Sequence, residues 1–230
     1  AEFPKLFLPQ VGTARGFAHR VKVKPGATPV QQRLRRLPFA VRDKVKAELS
    51  RLEAAAIIER IDASEWISPI IVSYKKSGDI RLCIDLRQVN QAIVIDRFPL
   101  PDIQELFAEL RHAKIFSTLD LNSAYHQLEL SEESRDLTAF ITHEGLFRFK
   151  RVCFGLASAP AAFQKLMASL LQGLTGVQCY LDDVVVYGGD QAEHDRNLRT
   201  VLKRIQDAGL TLNAGKCQFN LTSLRFLGHI

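Results

Sequence analysis

Chemistry in this sequence concentrates at Tyr180-Leu181-Asp182-Asp183, where two adjacent carboxylates stand between strongly apolar stretches. Aspartate is a poor strand former. At the tip of a tight hairpin the pair would sit at a sheet edge, and like charges side by side raise each other's pKa. A divalent cation removes that penalty, and carboxylate oxygen is the hard ligand that magnesium prefers. Asp120 is the natural third member. It ends the apolar run Ile115-Phe-Ser-Thr-Leu119 and precedes Leu121-Asn122-Ser123-Ala124-Tyr125. Strands adjacent in one sheet would set Asp120 beside Asp182. Three carboxylates can hold two metal ions roughly 3.5–4 Å apart, the arrangement used in phosphoryl transfer. Read one at a time, the same residues are a plain Asp-Asp turn and an unrelated strand end.

The elements that must position these acids follow from periodicity. Residues 177–181 and 184–187 read as strands joined at the acids, and 114–121 as the strand ending on Asp120. A helix fits 41–60, with Val45, Leu49, Leu52 and Ala56 at helical spacing. A second begins at Asp102, with Glu105 completing a capping box. A third starts near Pro160, and a fourth spans 190–208, capped by Asp190 and closed by Gly209. Residues 69–74 and 80–86 form a hairpin around Lys75-Lys76-Ser77-Gly78-Asp79. Strict alternation sets Arg81, Cys83, Asp85 and Arg87 on its polar face, where Arg81 would pair with Asp85. Residues 138–141 and 147–152 form another hairpin, and short strands at 210–212 and 224–227 end the chain. Helices alternate with tightly turned strands, which predicts an α+β fold.

Composition bounds the function. The chain has 230 residues, 47% hydrophobic and 24% charged, which excludes general disorder, collagen and a disulfide scaffold. No run reaches the roughly 18 apolar residues of a membrane span, and residues 1–10 do not read as a signal peptide. The four cysteines are far apart and form no C-x-x-C pair, so they read as reduced thiols of an intracellular protein. The six histidines show no metal spacing, and no Gly-x-Ser-x-Gly elbow is present. Residues 1–60 hold 13 Lys/Arg against 5 Asp/Glu, a balance of +8; the remainder holds 18 against 20, a balance of −2. A basic first quarter, densest at Gln31-Gln32-Arg33-Leu34-Arg35-Arg36, fits either a polyanion partner or a solubilising surface. The stretch to Pro38 carries Pro4, Pro9, Pro25, Pro29 and Pro38 and reads as extended and irregular.

Several segments in order resemble one family. Tyr180-x-Asp182-Asp183 resembles the signature of reverse transcriptases. Ser68-Pro-Ile-Ile-Val72, Lys75-Lys76 and Arg81-x-Cys-Ile-Asp85-x-Arg87-x-x-Asn90 resemble its fingers. Phe98-Pro-Leu-Pro101 and Ser117-Thr-Leu-Asp120-Leu-x-Ser-Ala-Tyr125-His-Gln127 resemble its first palm motif. Phe147-Arg-Phe-Lys-Arg-Val-x-Phe154-Gly155-Leu156 and Ala159-Pro160-x-x-Phe163-Gln164 resemble the next, and Lys216-Cys-x-Phe219 and Phe226-Leu227-Gly228-His229 the palm's end. The pattern is most similar to gypsy-type long-terminal-repeat retrotransposons, relatives of the retroviruses, and covers nearly the whole chain.

The resemblance implies a right-hand polymerase with fingers and palm, its antiparallel palm sheet backed by helices. Fingers would comprise 1–93 and 130–153, and palm 94–129 and 154–230, with no room for the thumb. It implies Asp120, Asp182 and Asp183 as catalytic ligands of two Mg2+ ions, for which Mn2+ can substitute. It implies Lys75, Arg81, Leu121, Asn122, Ser123, Ala124, Tyr125, Phe154 and Gly155 as the dNTP site. Tyr125 would exclude a ribose 2′-hydroxyl, and Lys216 would donate a proton to the departing pyrophosphate. Phe226, Leu227, Gly228 and His229 would begin the primer grip. Expected partners are an RNA or DNA template with its primer, and the downstream thumb, connection and ribonuclease H domains of a Pol polyprotein; no membrane is expected. The expected location is the cytoplasm, in virus-like particles, with a nuclear phase. Cys153 and Ala157-Ser158-Ala159 depart from the family's common residues without touching the metal ligands. The alternative is an inactive or domesticated palm that binds nucleic acid through its basic first 60 residues. A third reading, a palm-type RNA polymerase or nucleotide cyclase, is opposed by Tyr125.

Overall fold

In a computed structural model the described residues are 2–74, 78–96, 98–99, 102–224 and 226. The chain opens with β1 (Ala18–His19), β2 (Lys22–Val23), α1 (Phe39–Ala54), β3 (Ile58–Ile61), β4 (Ser68–Tyr74) and β5 (Ile80–Ile84). Next come α2 (Arg87–Ala92), β6 (Ile93–Val94), α3 (Ile103–Leu110), β7 (Ile115–Asp120), β8 (Glu129–Leu130) and α4 (Glu132–Arg135). Then follow β9 (Phe140–Thr142), β10 (Gly145–Phe149), α5 (Ala159–Leu171), β11 (Val177–Tyr180), β12 (Asp183–Gly188), α6 (Gln191–Asp207) and β13 (Gln218–Leu221). No described helix is long and apolar enough to cross a membrane. The chain forms two units, residues 1–15, 97–127 and 160–230, and residues 16–96 and 128–159.

The first unit is built on a four-stranded sheet in the order β11-β12-β7-β13, every neighbouring pair antiparallel. Val184, Val185 and Val186 are buried, as are Phe116 and Leu119 on β7. This apolar content holds the strands together up to the acids at their ends. Successive strand residues face opposite sides. Phe116 packs with Val185, Leu106 and Leu110, which seats α3 on one side. Ser117 turns to the other, where its Oγ lies 2.9 Å from Nε2 of the fully buried His194 on α6. The caps form: Asp102 accepts from Gln104 N–H at 2.7 Å, and Asp190 accepts from Glu193 N–H at 2.8 Å. The first part of the extended N-terminal stretch, residues 1–15, belongs to this unit as a strap. Leu6 is fully buried and its carbonyl accepts Leu212 N–H at 2.8 Å. Thr13 and Arg15 donate to the carbonyls of Gly209 and Ala208, each at 2.9 Å.

The second unit holds a five-stranded sheet in the order β3-β10-β9-β4-β5. Its pairs are antiparallel except β4–β9, which is parallel. Phe140 stacks on Phe147, with ring centroids 5.7 Å apart, and both are fully buried. The face of α1 formed by Val41, Val45, Leu49 and Leu52 is buried.

Three expectations are corrected. The helix expected over 41–60 ends at Ala54; Ala56 takes a left-handed φ of 53°, and the buried β-branched Ile57-Ile58 pair opens a strand instead. Residues 210–212 make only the bridge Leu121↔Leu212, because Leu212 N–H is donated to the strap. The strand expected over 80–86 stops at Ile84, and Asp85 turns inward to 4% exposure. Its partners are Arg87, at 2.8 and 2.7 Å, and Arg35, at 2.6 Å, in place of the expected Arg81. Arg35 of the basic patch is therefore engaged within the fold.

The Arg87 hydrogen bonds, opposed by burial and aided by Arg35, hold the Asp85 carboxyl well below the usual carboxylate range. Its contribution to stability is present above the ordinary carboxylate pKa and lost as pH falls toward the depressed one. Asp85→Asn should lower stability at neutral pH by about 1.5–3 kcal/mol. Thermal melts should also show wild type losing more stability than the variant between about pH 5 and about pH 2.

Candidate active site

The β11–β12 hairpin pairs Tyr180 with Asp183, leaving a two-residue loop of Leu181 and Asp182. Leu181 takes φ 54°, a left-handed conformation uncommon for a side chain of this size. Gln164 on α5 holds that turn. It is 3% exposed, its Oε1 accepts Leu181 N–H at 2.9 Å and its Nε2 donates to the Cys179 carbonyl at 3.2 Å. Sequence reasoning quoted Gln164 only as a motif letter; the available signal was an amide beside the inward-facing Phe163 and Met167.

The β7–β12 register sets Asp120 opposite Asp183, with Asp182 one residue outward in the loop. The sequence had set Asp120 beside Asp182. Protein around the Asp183 carboxyl desolvates it and raises its pKa, and the charges of Asp182 and Asp120 raise it further. Tyr125 is raised by burial and then by Asp182. The Cys179 thiol, beneath the hairpin, is pushed up to about 12 by burial and by both hairpin acids, so it stays protonated at neutral pH. Lys216 Nζ lies 3.4 Å from Asp120 Oδ2. Asp120 N–H points at Cys217 Sγ, 3.4 Å away. Thr118, Asp120, Asp183, Lys216 and Phe226 line a cavity of about 110 Å³.

Among the described residues no three acidic, histidine or cysteine side chains converge into a ready-made metal cage. The acids share one sheet end, their donor set is all carboxylate oxygen, and Asp183 is destabilised as an anion by its neighbours. That chemistry fits a hard divalent cation.

After Asp120 the chain turns through Leu121–Ala124. Asn122 N–H is donated to the Thr211 carbonyl at 3.0 Å, so it is committed within the fold. Tyr125 is half-buried, edge-on to Phe163 with centroids 5.9 Å apart. Phe226 is buried, edge-on to Phe107 at 6.3 Å, and so anchors its segment to the core.

In the second unit Arg81 is exposed on β5. Phe154 is 48% exposed and Gly155 takes φ +90°. Asn90 holds that loop, donating to the Gly155 carbonyl at 2.8 Å and accepting Ala157 N–H at 2.9 Å. Lys75, Leu227, Gly228 and His229 lie outside the described residues.

The sequence profile of the reverse transcriptase (RNA-dependent DNA polymerase) family matches residues 74–230. The chain belongs to this family. The retrovirus-related Pol polyprotein from transposon 412 of Drosophila melanogaster is 37% identical over 87% of this chain and 17% of its own length. That from transposon gypsy of the same fly is 37% identical over 88% of this chain and 20% of its own length. The chain thus spans about a fifth of these polyproteins. The prototype foamy virus protease-reverse transcriptase (CSH mutant) is 24% identical, with TM-score 0.88, over 100% of this chain and 31% of its own. The foamy viral protease-reverse transcriptase in complex with RNA/DNA hybrid is 22% identical, with TM-score 0.87, over 97% of this chain and 30% of its own. The α+β fingers-and-palm fold expected from sequence is the fold these structures share.

Gln164→Ala leaves Leu181 N–H and the Cys179 carbonyl without their partner. An unmade hydrogen bond at a buried group costs about 1–3 kcal/mol. The melting temperature of the variant should fall accordingly, and Gln164→Glu should also melt below wild type at neutral pH because it buries a carboxylate against the Cys179 carbonyl.

Proposed function

We propose that this chain is the core of an RNA- and DNA-directed DNA polymerase within a retrotransposon Pol polyprotein. The register that opposes Asp183 to Asp120, with Asp182 in the loop between β11 and β12, carries this reading. Asp120, Asp182 and Asp183 would hold Mg2+, or Mn2+ in its place. Two ions held there would supply Lewis-acid chemistry for a primer 3′-hydroxyl and for the charge on the triphosphate.

The chain's own residues do the rest. Lys216, 3.4 Å from Asp120, would donate a proton to the departing pyrophosphate. The amides of Ser123 and Ala124 would meet the triphosphate, that of Asn122 being committed to Thr211. Tyr125 is braced by Phe163 and presents a rigid ring to the sugar. Arg81 carries a fork suited to phosphate oxygens, and Lys75, Phe154 and Gly155 keep the nucleotide-binding roles the family assigns them. Template and primer would be held through their phosphates, a term that the downstream thumb, connection and ribonuclease H domains would strengthen.

Primer extension on poly-rA/oligo-dT with magnesium or manganese tests this reading, in the chain and in the longer polyprotein. Asp182→Asn/Asp183→Asn should reduce extension at least about 100-fold. Extension that survives the double substitution overturns the assignment. Absence of extension in both proteins would favour the inactive nucleic-acid-binding palm. Tyr125→Ala should raise rNTP use relative to dNTP about 10- to 100-fold, the range of a discrimination made by packing alone; competitive incorporation assays read it directly.

A further inference from the structure

We propose that Gln127 is a positioning residue for nucleotide binding, holding the turn after Asp120 in the shape that presents the amides of Ser123 and Ala124 to the triphosphate. The proposal rests on the polymerase reading above. Gln127 closes the 3-10 turn Ala124–Gln127 and is fully buried. Each polar atom of its side chain meets backbone. Nε2 donates to the carbonyls of Asn122 and Thr211, both at 2.9 Å, and Oε1 accepts Thr211 N–H at 2.8 Å. The Gln127 backbone carbonyl accepts Ala14 N–H from the strap at 2.8 Å. Two donors and one acceptor at this reach are what a glutamine amide supplies and what a carboxylate or hydroxyl lacks.

Asn122 is the residue that this network immobilises. Its N–H goes to Thr211, its carbonyl to Gln127, and its side-chain Nδ2 to the Pro9 carbonyl at 3.0 Å. The strap fits closely: a Cβ at Gly12 would stand 2.5 Å from Gln127 Oε1, and Gly12 N–H donates to Thr211 Oγ1 at 3.1 Å. The next residue, Ser123, takes a left-handed φ of 51°. A non-glycine residue in that region persists only where its surroundings over-determine it. Freeing the Asn122 carbonyl lets Ser123 relax and swings the amides of Ser123 and Ala124 away. Amides aimed in advance contribute to binding because their ordering cost is met on folding. The effect therefore falls on dNTP binding, while the carboxylates of Asp120, Asp182 and Asp183 stay in their register.

Single-nucleotide incorporation by Gln127→Met, which keeps length without hydrogen bonds, and by Gln127→Glu, which keeps only the acceptor, tests this. The dNTP KM should rise about tenfold with kcat within about threefold of wild type and template–primer affinity unchanged. A folded Gln127→Met with wild-type dNTP KM, or a loss confined to kcat, overturns the proposal. Hydrogen exchange on the wild-type chain decides it without a variant. With a dideoxy-terminated primer, dNTP should slow exchange at the Asn122 and Thr211 amides; unchanged exchange there overturns it. A wild type that incorporates nothing, in this chain and in the longer polyprotein alike, overturns the polymerase reading, and this proposal with it.

Discussion

Pairing β7 with β12 forces two carboxylates, Asp120 and Asp183, to face each other at the end of one sheet. Nothing in the acids themselves favours this. Like charges directly opposite destabilise a strand pair, and Asp183 has its carboxyl raised by desolvation and by both neighbours. The register is imposed by what lies behind them. Val184, Val185 and Val186 alternate into two apolar layers with Leu119 and Phe116, and a slip of one residue would turn each of them to the wrong face. Burial of such side chains contributes about 1.5–3 kcal/mol each. Core packing thereby holds in place a charge arrangement that a bound divalent cation would make favourable.

The same logic governs the loops at that sheet end. Three stretches distant in sequence meet there: the strap around Gly12, the turn after Asp120, and residues 208–213. None is a regular strand, so their backbone groups pair with one another and with one buried amide, Gln127, while a second, Gln164, does the same for the β11–β12 turn. Buried polar networks of this kind are stable only when every member is satisfied. They are therefore rigid, as strained turns at Leu181 and Ser123 require.

Much of this was legible in the sequence where a local signal existed. The acids at a hairpin tip, the strand ending on Asp120 and the caps at Asp102 and Asp190 each announce themselves by residue type and period. Family motifs in order supplied the palm and fingers. Long-range pairing was not legible. Nothing local shows that Asp85 recruits Arg35 from 50 residues earlier, that residues 1–15 pack into the carboxylate unit, or that Gln218–Leu221 joins β7 as an edge strand. The helix over 41–60 was read too long because Ile57 and Ile58 continue an apolar pattern that a left-handed Ala56 interrupts. Gln127 and Gln164 were visible as letters, but their value depends on which backbone groups tertiary structure brings to them.

A divalent cation would turn the Asp120/Asp183 pairing, unfavourable by itself, into a favourable one. Thermal melts of wild type and Asp183→Asn at neutral pH, in chelator and in magnesium, test it most directly. The raised carboxyl of Asp183 costs stability above its ordinary pKa, so in chelator the variant should melt above wild type. Magnesium should then stabilise wild type and leave the variant nearly unmoved. A wild type that already melts higher in chelator, with magnesium raising both equally, would contradict the account.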